Sequence, residues 1–314
     1  MFIIQFPGQG SQAVGMGAAL AQEFDVAKRV FQEVDDALGQ KLSDLMFNGP
    51  IETLTLTENA QPAIMASSIA IVKVLEAEFG FDVATAKYVA GHSLGEYTAL
   101  TAAKAFSISD AAKLLKLRGQ SMQAAVPAGQ GAMASLIGPK VDIALAEAAA
   151  AEGAKAGVCT VANDNNAGNV VISGTKEGVD AAIAAAKEMG ARAIPLNVSA
   201  PFHCPLMQPA AEAMAKALAD VQMNAPITQL VPNVSLVPTT DVETIKKLLV
   251  EQVTGRVRWR ETLGFFSAQG IDTLVEIGSG NVLTGMSKRT IADANHVTVS
   301  TADDIRAFSQ NFPK

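Results

Sequence analysis

The 314-residue sequence predicts an α/β fold in which one parallel sheet is assembled from two separated stretches of chain. Three observations point there. Near the N-terminus a β-rich segment turns through glycines into a helical stretch, the order of a parallel α/β unit. The same order returns late in the chain, after a central stretch of different rhythm. The composition, 49% apolar and 18% charged, is that of a folded globular chain and not of a disordered one.

In order along the chain, Phe2-Ile3-Ile4-Gln5-Phe6 reads as a strand and Pro7-Gly8-Gln9-Gly10 as the turn that ends it. Helical patterns follow over 17–39 and 60–79. Tyr88-Val89-Ala90 is a short strand stopping at Gly91. From residue 131 the pattern reads strand 131–137, helix 140–152, strand 157–162, strand 169–174, helix 176–189 and strand 191–196, with Asn163 to Asn169 as the hairpin between the middle strands. This β-α-β-β-α-β order is that of a ferredoxin-like unit. Pro127 to Gly131 forms a linker ahead of it, so residues 127–197 are expected to be an inserted subdomain and residues 1–126 with 198–314 the main body. A helical run over 207–220 and a strand, Thr273 to Ile277, return the chain to that body.

Charge and cysteine usage exclude several classes. A net charge of −7 argues against non-specific nucleic-acid binding, which needs a basic face. Two cysteines and three histidines make neither a disulfide framework nor a metal-ligand spacing. The N-terminus has no basic segment ahead of an apolar run, and no stretch reaches the roughly 18 apolar residues that cross a bilayer. A soluble, cytoplasmic protein without a structural metal is expected.

Chemistry is concentrated in Gly91-His92-Ser93-Leu94-Gly95. Between a strand and a helix, Gly-x-Ser-x-Gly matches the nucleophile elbow, whose small flanking residues allow a turn sharp enough to expose the serine hydroxyl. The amide of Leu94 then points at a developing oxyanion. Serine needs a base. Of the three histidines, His92 adjoins Ser93 and should diverge from it, and His296 lies in a polar segment that reads as surface. His203, where the chain re-enters the main body, is the candidate; a loop histidine with only structural contacts is the competing reading. Arg118 shares a helical stripe with Ala111, Leu115 and Met122, so it faces inward. It either snorkels, pairs with a protein carboxylate, or presents its fork to a substrate carboxylate.

Other motifs carry less. Gly8-Gln9-Gly10-Ser11-Gln12-Ala13 fits the dinucleotide fingerprint, but residues 17–39 are helical where that reading wants a second strand ending in an acid. Cys159 and Cys204 read as small apolar residues. Arg256-Val257-Arg258-Trp259-Arg260 reads as an amphipathic edge with solvated arginines, or alternatively as a docking patch for an acidic partner.

Taken together, Phe6-Pro7-Gly8-Gln9-Gly10-Ser11-Gln12, Gln61-Pro62-Ala63, Gly91 to Tyr97, Arg118-Gly119, Phe202-His203-Cys204, Gln252 and Glu276-Ile277-Gly278 make the chain resemble the malonyl-CoA:acyl carrier protein transacylases of type II fatty-acid synthesis, essentially end to end. The resemblance implies an α/β-hydrolase-like core with an inserted ferredoxin-like subdomain. It implies Ser93 as nucleophile, His203 as base, the amides of Gln9 and Leu94 as oxyanion hole, and Arg118 as holder of the malonyl carboxylate. Gln252 would orient His203 through a carbonyl, and Gln61 and Asn163 would lie near the acyl or pantetheine path. Phe202 matches the phenylalanine that goes with malonyl selectivity in related polyketide acyltransferases, while Ser279 stands where the family usually has proline. Malonyl-CoA as substrate, an acidic acyl carrier protein bearing phosphopantetheine as partner, no permanently bound cofactor and a monomeric state are the corresponding expectations. The rival is an α/β-hydrolase-type thioesterase or esterase, which uses the same elbow but places its histidine late in the chain.

Overall fold

The computed structural model describes residues 1–311. Its strands are β1 (Phe2–Phe6), β2 (Tyr88–Gly91), β3 (Gly131–Ile137), β4 (Cys159–Asn166), β5 (Asn169–Thr175), β6 (Arg192–Pro195), β7 (Gln229–Leu230), β8 (Thr273–Ile277) and β9 (Asn295–Val299). They form two sheets. One has the order β7-β2-β1-β8-β9 with every neighbouring pair parallel. The other, β4-β5-β3-β6, is antiparallel throughout.

Both faces of the central strands of the parallel sheet are covered, which is why β1, β2 and β8 are mostly apolar, with Gln5 and Glu276 buried among them. Along β1, Ile4 and Phe6 enter the largest core, with Val89 of β2 and Val275 and Ile277 of β8. Ile3, Tyr88, Ala90 and Leu274 point the other way, into a core around Trp259 and Phe266. The antiparallel sheet lays Ala134, Leu136 and Ile172 against the helices Ile143–Gly153 and Lys176–Glu188. Its opposite face sends Met133, Ala162 and Val171 into the largest core. The two sheets are thereby joined by packing as well as by chain.

At β1 the parallel sheet changes direction: β2 pairs on one side and β8 on the other. The carboxyl ends of strands at such a switch point open a crevice where ligands bind in α/β folds. Here those ends lead into the turn after Phe6 and into Ser93. Glu276, whose carboxylate is buried at the end of β8, accepts from the amides of Leu283 and Thr284 and so caps the Val282–Thr290 helix.

Several expectations need correction. The helical region 17–39 is two helices, Ala18–Glu23 and Asp25–Leu38, because Phe24 adopts an extended conformation and sets its ring 5.9 Å from the Arg306 guanidinium. The loop expected over Asn163 to Asn169 is mostly strand: β4 runs to Asn166, leaving only Ala167 and Gly168 as the turn. Asn163 to Asn166 are polar yet buried; Asn163 bridges to Val257 through its backbone, Asp164 meets Arg260 and Asn165 meets His92 on the main body. His296 is a half-buried residue of β9, its Nε2 donating to the Ile291 carbonyl at 3.0 Å. The arginines of the 256–260 run are not solvated free charges. Arg256 pairs with Glu147, Arg258 with Glu261, and Arg260 grips Asp164 through two nitrogens, while Val257 and Trp259 are buried.

Candidate active site

The elbow depends on two missing side chains. A Cβ at Gly91 would lie 1.9 Å from the carbonyl of Gly95, and one at Gly95 would lie 2.3 Å from the carbonyl oxygen of Phe6. Without them the chain turns directly from β2 into the helix Gly95–Ala102 against the end of β1. Ser93 sits at the apex with φ of 54°, a left-handed conformation held by its surroundings. Its amide donates to Asn233 Oδ1 at 2.8 Å and its carbonyl accepts from Gln252 Nε2 at 3.0 Å.

Ser93 Oγ lies 2.8 Å from His203 Nε2, and His203 Nδ1 lies 2.9 Å from the backbone carbonyl of Gln252. A carbonyl can only accept, so Nδ1 carries the proton and Nε2 is free to receive one from the serine. His203 also has a positive φ, 56°. Burial, then the charge of Arg118, push its pKa down to about 3, so the resting imidazole is neutral.

Arg118 comes from the Ile108–Ala125 helix, and its stripe with Ala111, Leu115 and Met122 is buried as the periodicity predicts. The neighbouring Gly119 lets this helix press against the Thr57–Phe79 helix; a Cβ there would meet the Glu58 Cα at 2.5 Å. Close approach brings Arg118 to Gln61, whose Oε1 accepts at 2.7 Å. The second terminal nitrogen donates to Gln252 Oε1 at 2.9 Å and Ser93 Oγ at 3.1 Å, and the Tyr97 ring lies 5.8 Å from the guanidinium. Arg118 is 1% exposed, and among the described residues no carboxylate lies within ion-pair distance of it.

Ser93, His203, Arg118 and Gln61 border a cavity of about 280 Å³. Gln9, Leu94, Asn163 and Phe202 line it as well. The Gln9 turn is fixed from several sides: Thr57 Oγ1 donates to Gln9 Oε1 at 2.5 Å, Ser11 Oγ to the Gly8 carbonyl at 2.8 Å, and the Gly10 amide to Gln12 Oε1 at 2.8 Å. Thus all eight residues singled out in the sequence meet in one place, Gln252 through its bonds to Ser93, Arg118 and His203. Cys204, beside His203, is buried and donates to the Pro201 carbonyl.

The acyl transferase domain family model matches residues 1–306. A malonyl CoA-acyl carrier protein transacylase of Bacillus subtilis is 44% identical over 96% of this chain and 93% of its own length. The chain belongs to the malonyl CoA-acyl carrier protein transacylase family. The Escherichia coli transacylase is 43% identical over 92% of this chain and 93% of its own. Among solved structures, an acyl-carrier-protein-S-malonyltransferase from Bartonella henselae superposes with a TM-score of 0.96 at 53% identity, covering 98% of both chains. A malonyl-transacylase in complex with its type II PKS acyl-carrier protein superposes at 0.95 with 41% identity, covering 99% of both.

In this transacylase, sequence reasoning passed over three residues that shape the site. Asn233 holds the Ser93 amide and donates to the Gly91 carbonyl at 2.7 Å, so both ends of the elbow rest on one side chain. Glu96 accepts from the Asn233 amide and from Gln252 Nε2. Asn165, on β4, meets His92 Nε2 at 2.9 Å and ties the second sheet to the elbow. Glu96 carried a signal, the one charged residue of a short, wholly buried helix. Asn233 and Asn165 lie in segments with no local motif.

Proposed function

We propose that the protein transfers a malonyl group from malonyl-CoA to the phosphopantetheine thiol of an acyl carrier protein, by way of a malonyl ester on Ser93, in fatty-acid biosynthesis. Arg118 carries the substrate choice. A buried cation with no carboxylate in direct contact costs on the order of several kcal/mol, and such a cation 3.1 Å from the nucleophile favours an acyl group that brings its own carboxylate. The malonyl carboxylate supplies it.

His203 takes the Ser93 proton on Nε2 as Oγ attacks the thioester carbonyl carbon. The amides of Leu94 and Gln9 stabilise the oxyanion; the Ser93 amide is occupied by Asn233, which leaves Leu94 as the elbow's donor. The carbon–sulfur bond then breaks and His203 returns the proton to the departing coenzyme A thiol. In the second half the pantetheine thiol gives its proton to His203, attacks the ester, and Ser93 Oγ recovers that proton as it leaves. Burial remains the larger cause of the depressed His203 pKa, but a malonyl carboxylate on Arg118 also offsets the second, the Arg118 charge, so the base strengthens when the right substrate is bound. Gln61 orients Arg118, and Asn163 borders the thioester path.

We read residues 1–126 and 198–314 as an α/β-hydrolase-like core and residues 127–197 as an inserted ferredoxin-like subdomain; the β4-β5-β3-β6 order supports the second assignment. The partner is an acidic acyl carrier protein, and the reaction is assigned wholly to side chains and substrates, with no resident cofactor. No helix among the described residues is long and apolar enough to cross a membrane, and we place the enzyme in the cytoplasm as a monomer.

Intact-mass measurement after brief exposure to malonyl-CoA tests this reading. Wild type should gain one malonyl group, Ser93→Ala none, and holo acyl carrier protein should discharge the adduct onto itself. Rapid repeated hydrolysis of malonyl-CoA without carrier protein would instead identify a thioesterase.

A further inference from the structure

Glu96 lies directly beneath the elbow, 0% exposed, yet the transfer reaction as written gives it no task. One of its oxygens, Oε2, accepts both from the Asn233 backbone amide at 3.0 Å and from Gln252 Nε2 at 2.8 Å. Those two partners hold everything else. Asn233 carries the Ser93 amide and the Gly91 carbonyl. Gln252 carries the Ser93 carbonyl by its side-chain nitrogen, His203 by its backbone carbonyl, and Arg118 by its side-chain oxygen.

The direction of the Gln252 amide is therefore determined at both ends: nitrogen toward the anion Glu96, oxygen toward the cation Arg118. A carboxylate bound directly to Arg118 would occupy the fork that an acyl carboxylate needs. One amide away, it offsets the buried positive charge without itself taking a guanidinium nitrogen, whose partners are the neutral groups of Gln61, Gln252 and Ser93.

We infer that Glu96 is a positioning residue, holding Ser93 and His203 in register through Asn233 and Gln252 and balancing the charge of Arg118 through the Gln252 amide without blocking it. The inference rests on the Ser93 acyl-transfer reading. Arg118 and Tyr97 are the charged and titratable groups coupled to Glu96. Burial raises the Glu96 pKa to about 7 against the opposing pull of its hydrogen bonds and of Arg118, so its charge changes within the working range. When Glu96 is neutral, the Arg118 field acts on His203 unopposed and the base weakens.

The test uses the first half-reaction, malonylation of Ser93 followed by rapid-quench mass spectrometry from pH 5.5 to 8.5, in wild type, Glu96→Gln and Glu96→Ala. Glutamine keeps the acceptor and removes the charge; alanine removes both. In wild type the rate should rise with pH through about 7. Glu96→Gln should lose that rise and run about tenfold slower at pH 8, and Glu96→Ala roughly another tenfold slower, as expected for lost charge-assisted hydrogen bonds. An unchanged pH rise in Glu96→Gln, or Glu96→Ala within threefold of wild type, overturns the inference. Glu96→Gln still decides the matter if the alanine variant does not fold. A wild-type enzyme that forms no adduct would refute the acyl-transfer reading itself, a result separable from either outcome for Glu96.

Discussion

The backbone carbonyl of Gln252 accepts the Nδ1 proton of His203 at 2.9 Å, so the imidazole is oriented by a neutral amide and not by an acid. Its tautomer is fixed without a negative charge to stabilise an imidazolium, and Arg118 nearby disfavours that cation further. The resting pair is a serine donating to a neutral imidazole.

That neutrality appears in stability. The folded pKa of His203, about 3, lies below its unfolded value near 6.5, so its contribution is complete above pH 6.5 and is lost as pH falls toward 3. Between pH 7 and pH 5 this one group should remove about 2 kcal/mol of unfolding free energy. Urea titrations at the two values should show His203→Gln with a smaller loss than wild type; equal losses would contradict a buried neutral histidine.

Arg118→Ala should cut malonyl transfer far more than acetyl transfer. Losing a buried charge-assisted pair with substrate costs about 3 kcal/mol, roughly a hundredfold in kcat/KM. Acetyl-CoA, having no carboxylate, should change by much less. Equal losses for the two substrates, measured side by side, would remove Arg118 from substrate choice.

Gly91→Ala should abolish malonyl-Ser93 formation although no functional group is lost. The new methyl would stand 1.9 Å from the Gly95 backbone, and neither segment is free to give way. A destabilisation of roughly 3 kcal/mol or more is expected from forced overpacking at a strained turn. Thermal melting with adduct mass spectrometry checks both parts, and a fully acylated variant of normal stability would count against the close-packed elbow.

The contact between the second sheet and the main body is asymmetric. Asp164 is 0% exposed, whereas Arg260 is 33% exposed on its side chain. Arg260→Ala strands a buried carboxylate and should cost about 3 kcal/mol, while Asp164→Asn leaves an arginine that reaches water and should cost about 1 kcal/mol. Chemical denaturation of the two variants should rank them in that order. The reverse ranking would mean that the ion pair is not what secures β4 to the main body.

Much of the site was legible in the sequence because it depends on local backbone. A glycine on each side of Ser93 permits the elbow, a period near 3.6 turns Arg118 inward, and β-rich runs bounded by turn residues mark the principal strands of both sheets. Polarity misled where polar residues found distant partners: Asn163 to Asn166 read as a loop but are buried strand, since Asp164 meets Arg260 and Asn165 meets His92. The arginine run read as solvated for the same reason.

The sequence by itself determined an exposed serine after a strand, an inward arginine and one well-placed histidine. Only the tertiary structure decided that they form one site, because the bonds that assemble it join separate elements: Ser93 to Arg118 across 25 residues, Ser93 to His203 across 110, Ser93 to Asn233 across 140, and Glu96 to Gln252 across 156. Local patterning dictates how a segment turns and which face it buries. Which buried polar groups satisfy one another is settled only when the elements pack, and the partners of Glu96 and Gln252 carry no local signature of that pairing.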